Sequence, residues 1–302
     1  MTAHADWAAY PEGMDAIAPH IGPFASRPFL EAVSRHTSPD RWTLHIEASN
    51  TGAAGIVEVD GCVELVGRSD LTDYHSPIGL DGARAVADAL ARFPTLPFRL
   101  DSLPSEAAEP ISVRLAETGI EHLVRPSEVT AVVDLPGSYD EWLTSLAKKQ
   151  RHEVRRKVRR FEAEFGELSI ERHTIDALDT FVSMHRTSAG EKGAFMTESM
   201  AGFFRDLVET AGASINLLVC NGEARAAAFG FETDDGYYFY NSAFDPLAKA
   251  ASPGIVLLAA MVEAQIERGV SVFDFLKGDE RYKFQHGAVA RQLYEITDGR
   301  DD

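Results

Sequence analysis

The chain has 302 residues, 45% of them hydrophobic and 25% charged, enough for two modest packed domains and too apolar for a disordered chain. Its formal net charge of −18 argues against DNA or general nucleic-acid binding, which needs Lys and Arg in excess. Cys62 and Cys220 sit in apolar, strand-like stretches and are expected to be two buried thiols. The N-terminal stretch has neither the charge nor the apolar run of a leader, and no stretch approaches the ~20 apolar residues that span a bilayer. A cytoplasmic protein with no membrane span is expected.

In chain order, Trp42–Ala48, Gly55–Val59 and Val63–Val66 read as three short strands with β-branched residues and turn breaks. A helix over Gly82–Phe93, with Asp81 as its cap, precedes a strand at Phe98–Leu100 and a helix near Glu109–Thr118. Strands near His122 and at Val129–Leu135 follow. The 4-3-4 spacing of Val154, Val158, Phe161 and Phe165 predicts one long helix over Tyr139–Phe165. Next come a strand at Leu168–Arg172 and helices at Ile175–Thr187 and Ser199–Ala211. Ser214–Cys220, Ala224–Thr233 and Tyr237–Phe244 are three strands joined through the hairpin dipeptides Asn221-Gly222 and Asp235-Gly236. Pro253 opens a helix that reaches about Arg268 and is closed by Gly269. The pattern ends with a strand at Val270–Phe275, a short helix near Glu280–His286 and a strand near Gln292–Ile296.

The order β-β-β-α-β-α-β therefore occurs twice, which predicts two α/β domains, residues 1–136 and 137–302, related by duplication. In the second, the preceding strand and two helices complete β-α-α-β-β-β-α-β-α-β, the element order of the GNAT fold. Charge is distributed unevenly: residues 1–136 carry nine Arg, no Lys and 20 acidic residues, whereas eight basic residues fall within Lys148–Arg160 alone. This basic helix is either a solvated face balancing an acidic neighbour or an anion-binding wall, with Arg151 and Arg155 as candidate substrate contacts.

Two segments carry candidate chemistry. In the first, the strand ending Asn241-Ser242-Ala243-Phe244 leads into Ser252-Pro253-Gly254-Ile255 at the start of an apolar helix. Small residues there allow backbone N–H groups to approach a diphosphate, although the same residues also make an ordinary helix start capped by Ser252. In the second, a buried-looking strand containing Asp274 ends abruptly in Lys277-Gly278-Asp279-Glu280. A short helix with Tyr282, Lys283 and His286 follows it. Ligands collect at such strand ends, and charges crowded there are costly unless paired.

Asp274-Phe-Leu-Lys-Gly-Asp-Glu-Arg-Tyr-Lys283 resembles the signature of the CelD/BcsL-type (cellulose biosynthesis) acetyltransferases of the GNAT superfamily. The basic run from Ser145 to Arg160, the pair Ala243-Phe-Asp and Ser252-Pro-Gly254, and Ser69-Asp70…Asp73-Tyr74 resemble further parts of that family. The resemblance covers roughly Ala25 to Ile296 and is distantly Fem-like. It implies two tandem GNAT-like domains with mixed central sheets, the first degenerate and shaping the acceptor cleft. It also implies transfer of an acyl group from acetyl-CoA or another acyl-CoA to an amine, by direct attack in a ternary complex. The acceptor would be a small-molecule, saccharide or amino-acid-derived precursor of envelope or exopolysaccharide material. Only Gly254 remains of the glycines of a standard phosphate loop.

On this reading Asn241, Ser242, Ala243, Phe244, Ser252, Gly254, Ile255 and Lys283 hold the donor. Asp279, with Glu280 second, takes the proton of the attacking amine, and Tyr282 protonates the leaving thiolate. A backbone N–H near Asn241 or Lys277 stabilises the oxyanion. Each has a structural counterpart: Asp279 as a helix cap, Tyr282 as a core ring, Lys277 and Lys283 paired with Asp274 and Glu280, and Asp274 orienting the turn. His286 reads as a lone structural histidine. No nucleophile elbow, Walker loop or dinucleotide fingerprint is found, and no His or Cys pair has metal-ligand spacing. Two rival readings are a Fem-like transferase using aminoacyl-tRNA, against which the net charge counts, and a GNAT-fold binding protein without turnover.

Overall fold

The computed structural model describes residues 2–4, 6–37, 42–188, 190–234 and 236–299. It divides into two compact units, Met1–Thr130 with Arg291–Asp302, and Ala131–Ala290. The first contains β1 (Thr2–His4), α1 (Arg27–Thr37), β2 (Trp42–Ala48), β3 (Gly52–Val59), β4 (Cys62–Leu65) and β5 (Ile78–Gly79). It continues with α2 (Gly82–Leu90), β6 (Phe98–Pro104), α3 (Ser105–Glu117) and most of β7 (Leu123–Asp134). The expected order of strands and helices is present, with α1 and two short strands added. The segments near His122 and Val129 form one strand rather than two. Asp81 stands at the N-cap of α2 without bonding its backbone; its carboxylate instead accepts the Thr51 hydroxyl at 2.6 Å. Cys220 is buried, but Cys62 is only half-buried.

The second unit contains α4 (Tyr139–Ser145), α5 (Lys148–Phe165), β8 (Leu168–His173), α6 (Leu178–Arg186), α7 (Glu191–Phe195) and α8 (Glu198–Thr210). After these come β9 (Ala213–Cys220), β10 (Glu223–Glu232), β11 (Gly236–Phe244), α9 (Pro253–Glu267), β12 (Val272–Lys277), α10 (Arg281–Gln285) and the first two residues of β13 (Val289–Thr297). The long helix expected over Tyr139–Phe165 is two helices, because Leu146 and Ala147 adopt extended backbone between them. Leu146 is buried at that break, whereas the stripe from Val154 to Phe165 lies wholly within α5 and does not register it. Asp235 of the second hairpin dipeptide lies outside the described residues.

The final strand also departs from expectation. From Arg291 onward β13 belongs to the first unit, where it pairs antiparallel with β6 in the register Leu293↔Pro104 and Ile296↔Leu100. The residues of β7 from Ala131 belong to the second unit. The expected division at 136/137, with a second domain running to 302, therefore differs from these compact units at both ends. Sequence order assigns a strand to its neighbours along the chain, whereas hydrogen bonding assigned these two differently.

In the second unit β8, β9, β10 and β11 pair antiparallel in that order, and β11 pairs parallel with β12. Every residue of β9 is buried, which requires cover on both faces. One face carries a core of Leu218, Ala226, Ala228, Tyr237, Phe239 and Phe273 against Val154 and Phe161 of α5 and the apolar side of α9. The other carries Phe181 of α6, Phe204 of α8 and Phe229 of β10, with ring centroids 4.7–5.4 Å apart. Fully buried rings at this spacing make Phe204→Ala costly, by about 3–5 kcal/mol. A shift of the urea midpoint equivalent to less than about 1 kcal/mol would show that α8 is not packed as described.

Candidate functional site

β11 and β12 are parallel neighbours over three residue pairs only, Gly236↔Val272, Tyr237↔Phe273 and Tyr238↔Asp274. Beyond that point β11 continues to Phe244 and β12 to Lys277 without further register between their described residues. Both strands carry a reason for the divergence. On the β11 side the ladder with β10 shifts between Phe229↔Asn241 and Gly230↔Phe239, so Tyr240 is an extra residue, a bulge. Tyr240 and Asn241 consequently face the same way. Tyr240 lies 5.5 Å from Phe231 and 6.0 Å from Phe204, and the Asn241 side-chain oxygen accepts from His185 Nε2 on α6 at 3.1 Å. That oxygen also accepts the Ser242 N–H at 2.7 Å.

On the β12 side the chain leaves the pleat. Leu276 has φ 62° and Gly278 φ 113°, and a side chain at Gly278 would collide with the Glu280 carboxylate. Such backbone persists only when its surroundings hold it. Asp274, 1% exposed, accepts the Leu276 N–H at 2.7 Å. Lys283, 3% exposed, donates to the carbonyls of Leu276 at 3.2 Å, of Gly278 at 3.3 Å and of Lys277, and pairs with Glu280 at 2.9 Å. Asp274 and Lys283 thus hold the turn. The expected pairing of Lys283 with Glu280 is present, and its other partners are carbonyl oxygens of the turn.

The remaining candidates sit as follows. Asp279 is exposed at the tip of the turn, and Glu280, also exposed, is the residue at the N-cap of α10. Tyr282 is partly exposed, edge-on to Phe275 at 6.2 Å, and burial together with the Glu280 charge pushes its hydroxyl up to about 12. Ser252 has left-handed backbone (φ 64°) and does not cap α9 with its side chain; its carbonyl accepts the N–H groups of Ile255 and Val256 at 3.1 and 3.3 Å. A side chain built on Gly254 would meet nothing within 4 Å, so the first turn of α9 faces open space. Arg151 donates to the Thr144 carbonyl at 3.0 Å and Arg155 lies 4.0 Å from Asp140, contacts that tie α5 to α4. Asn241, Ser242 and Phe244 are half-buried on β11, and Ala243 is buried.

Two histidines missed as functional candidates lie at this end of the sheet. His185 reaches Asn241 across 56 positions, a juxtaposition that no sequence spacing signals. His286, 2% exposed, stacks 6.3 Å from Trp142, which itself donates to the His286 carbonyl at 3.1 Å. Among the described residues no three His, Cys, Asp or Glu side chains group as metal ligands would. None of the described helices is long and apolar enough to cross a membrane.

Residues 148–284 match the family described as acetyltransferase (GNAT) domain. No curated protein matches the sequence. Among solved structures, a conserved protein of unknown function from Bacteroides thetaiotaomicron VPI-5482 is similar, with TM-score 0.66, 11% identity and 96% and 94% of the two chains covered. The L-PGS of Bacillus licheniformis has TM-score 0.63, 13% identity and 96% and 94% coverage. FemX has TM-score 0.61, 12% identity and 97% of each chain covered. The chain is an α/β protein with the fold of two GNAT-like domains, and residues 148–284 are similar to the acetyltransferase (GNAT) domain.

Removing the Asp274 carboxylate leaves the buried Leu276 N–H unsatisfied, so Asp274→Ala is expected to lower stability by about 1–3 kcal/mol. Asp274→Asn keeps an acceptor and recovers most of that loss. Equal urea midpoints for the two variants would show that this bond does not hold the turn.

Proposed function

We propose that this protein transfers an acyl group from an acyl-CoA thioester to an amine, with the donor lying in the gap between β11 and β12. The observation that carries this reading is the early end of the β11–β12 ladder. Strand edges without a partner offer N–H and C=O groups to an amide-containing arm, as an added strand would use them. The open first turn of α9 suits the diphosphate: Pro253 has no N–H and those of Ile255 and Val256 are bonded to Ser252, so the Gly254 N–H and the helix dipole are what favour an anion there. The match of residues 148–284 to a GNAT acetyltransferase domain supports the same chemistry.

The chain's own groups then divide the work. Asp279, exposed at the tip of the turn, accepts the proton that the amine must lose on attack. Tyr282 keeps its proton throughout the neutral range because its hydroxyl is raised to about 12, and it delivers that proton to the departing sulfur. Backbone N–H groups near Asn241 and Lys277, on the two diverging strands, stabilise the oxyanion. Asp274 and Lys283 act as positioning residues, since their polar atoms bind the turn itself. The acceptor class is an amine of a sugar or amino-acid-derived precursor of envelope or exopolysaccharide material, in line with the CelD/BcsL-type motif. The alternative, aminoacyl-tRNA as donor, would use the basic face of α5; the contacts of Arg151 and Arg155 with α4 and the net charge weigh against it.

Thermal melts with CoA, acetyl-CoA, a long-chain acyl-CoA and uncharged tRNA test the donor. A ligand at ~100 times its dissociation constant adds about 2.7 kcal/mol, a rise of a few degrees for units of this size. A CoA species is expected to raise the melt, and Gly254→Trp, which fills open space without a clash, should abolish that response. If no CoA species moves the melt, the reading is wrong.

Tyr282→Phe tests the acid. It should lower kcat by about 10²–10⁴ with little change in KM. With the hydroxyl at about 12, the wild-type rate should show no alkaline fall from Tyr282 below about pH 11. A Phe variant with full kcat would remove Tyr282 from the mechanism.

A further inference from the structure

The charges of α5 are placed against the stability of the helix that carries them. Every exposed residue from Lys148 to Arg160 is basic: two lysines, His152 and four arginines. Their spacing of three and four residues gathers them on one face, about 18 Å long at ~1.5 Å per residue. Like charges at that spacing repel, and cations in a first turn oppose the helix dipole. The first turn of α5 holds Lys148 and Lys149, with no acidic residue and no side-chain cap. Arg155 and Arg156 lie against Asp140 and Glu153, whereas Lys148, Lys149, His152 and Arg160 have no acidic partner among the described residues. A helix that breaks local rules in this way serves a surface that something else covers.

The cover must be anionic, and the same face sets its size and texture. The large apolar side chains of α5, Val154, Val158, Phe161 and Phe165, pack on the core. The face therefore has nothing to insert among lipids and no ring on which a base could stack. An RNA or a membrane also extends far beyond one helix face, and away from α5 the chain is more acidic than its net −18. A compact acidic protein that lays a carboxylate-rich helix along α5 meets the basic face and little else. The face also adjoins the end of the site proposed for the donor. Lys149 and Lys157 share with Ile255, in the first turn of α9, the lining of a pocket of about 250 Å³.

We infer that the basic face of α5 docks an acidic carrier protein, whose phosphopantetheine arm brings the acyl thioester to the gap between β11 and β12. The place of the arm rests on the donor reading above, whereas the docking face stands on α5 alone. Transfer from the carrier is the same reaction. The bond from amine nitrogen to carbonyl carbon forms and the carbon–sulfur bond breaks; the amine gives up one proton, the sulfur gains one, and the arm leaves as a thiol.

The test measures binding of a labelled acyl carrier protein, apo and acetyl-holo, to the full-length protein by fluorescence anisotropy. Lys148→Glu and Arg160→Glu each reverse one unpaired charge, at opposite ends of the face. An acid in the first turn suits the dipole, so Lys148→Glu is expected to melt no lower than wild type, and a folding defect in Arg160→Glu does not decide the matter. Arg205→Glu, on an exposed side chain of α8, makes the same change of net charge elsewhere in the unit. The acetyl-holo form should bind wild type, weaken at least tenfold between about 50 and about 300 mM salt, and weaken at least fivefold in each α5 variant but not in Arg205→Glu. It should also bind more tightly than the apo form, and CoA should remove that difference. Equal binding of the two forms, or no binding of either, in a protein whose melt CoA raises would overturn delivery by a carrier and keep the CoA reading. Binding that depends on α5 and on the acetyl arm, in a protein that ignores CoA, would keep the carrier and overturn the CoA reading. Uncharged tRNA or phosphatidylglycerol vesicles bound with the same loss in both variants, and no carrier bound, would replace the carrier with that polyanion. Salt-sensitive self-association of wild type, lost in both variants and with no carrier bound, would make a second copy the occupant.

Discussion

A buried lysine ammonium determines where the sheet of the second unit opens. Desolvating such a charge is expensive, and the cost is tolerable only when every donor has a strong acceptor. Lys283 finds these in the carbonyls of Leu276, Lys277 and Gly278 and the carboxylate of Glu280. Three consecutive carbonyls can converge on one point only if the chain curls out of the pleat. The left-handed backbone at Leu276 and the positive φ of Gly278 are that curl. Once it forms, β12 has no edge to offer β11, and the parallel ladder stops after three pairs. The gap is therefore built by a satisfied charge and by strain held at one turn, as expected of a functional strand end.

The opposite wall reaches the same result by other means. The extra residue Tyr240 redirects β11, and the two consecutive side chains it aligns are used at once, one in the aromatic layer and one against His185. Gly230, across the bulge, has no room for a side chain, because one would press on the Tyr237 ring and the Tyr238 carbonyl. A bulge in β11 opposite a glycine of β10, and a curl and a glycine at the end of β12, bend β11 and β12 apart locally. The rest of the sheet keeps its pairing and its fully buried rings.

Much of this was legible in the sequence, because most elements are marked by local signals. The hairpin dipeptide Asn221-Gly222 between two apolar runs marks β9 and β10, Pro253 and Gly269 bracket α9, and the Lys-Gly-Asp run marks the end of β12. What local signals cannot carry is the partner of a distant residue. Nothing in the spacing of His185 and Asn241, or of Lys283 and Leu276, says that they bond. The apolar stripe of Val154, Val158, Phe161 and Phe165 lies wholly within α5, so it carries no mark of the bend at Leu146. The same holds for the final strand: its alternation predicts a strand, but its pairing partner, β6, is set by an edge far away in sequence. The roles of Asp274 and Lys283 were half legible, as charges that must be paired. That their partners are backbone atoms follows only from the turn.

The basic residues of α5 matter because of the charge of everything around them. A chain at −18 repels anions over most of its surface. At physiological ionic strength that repulsion is screened beyond about 8 Å, so the sign of the local surface decides whether an anion can settle. Arg151, Arg155 and Arg156 are tied to Thr144, Asp140 and Glu153, which fixes the helix but leaves their positive charge in place. Lys149 and Lys157 line the pocket beside the first turn of α9. In an acidic protein the local sign of charge along this face is thus set by one helix, while the excess of carboxylates keeps the remaining surface negative.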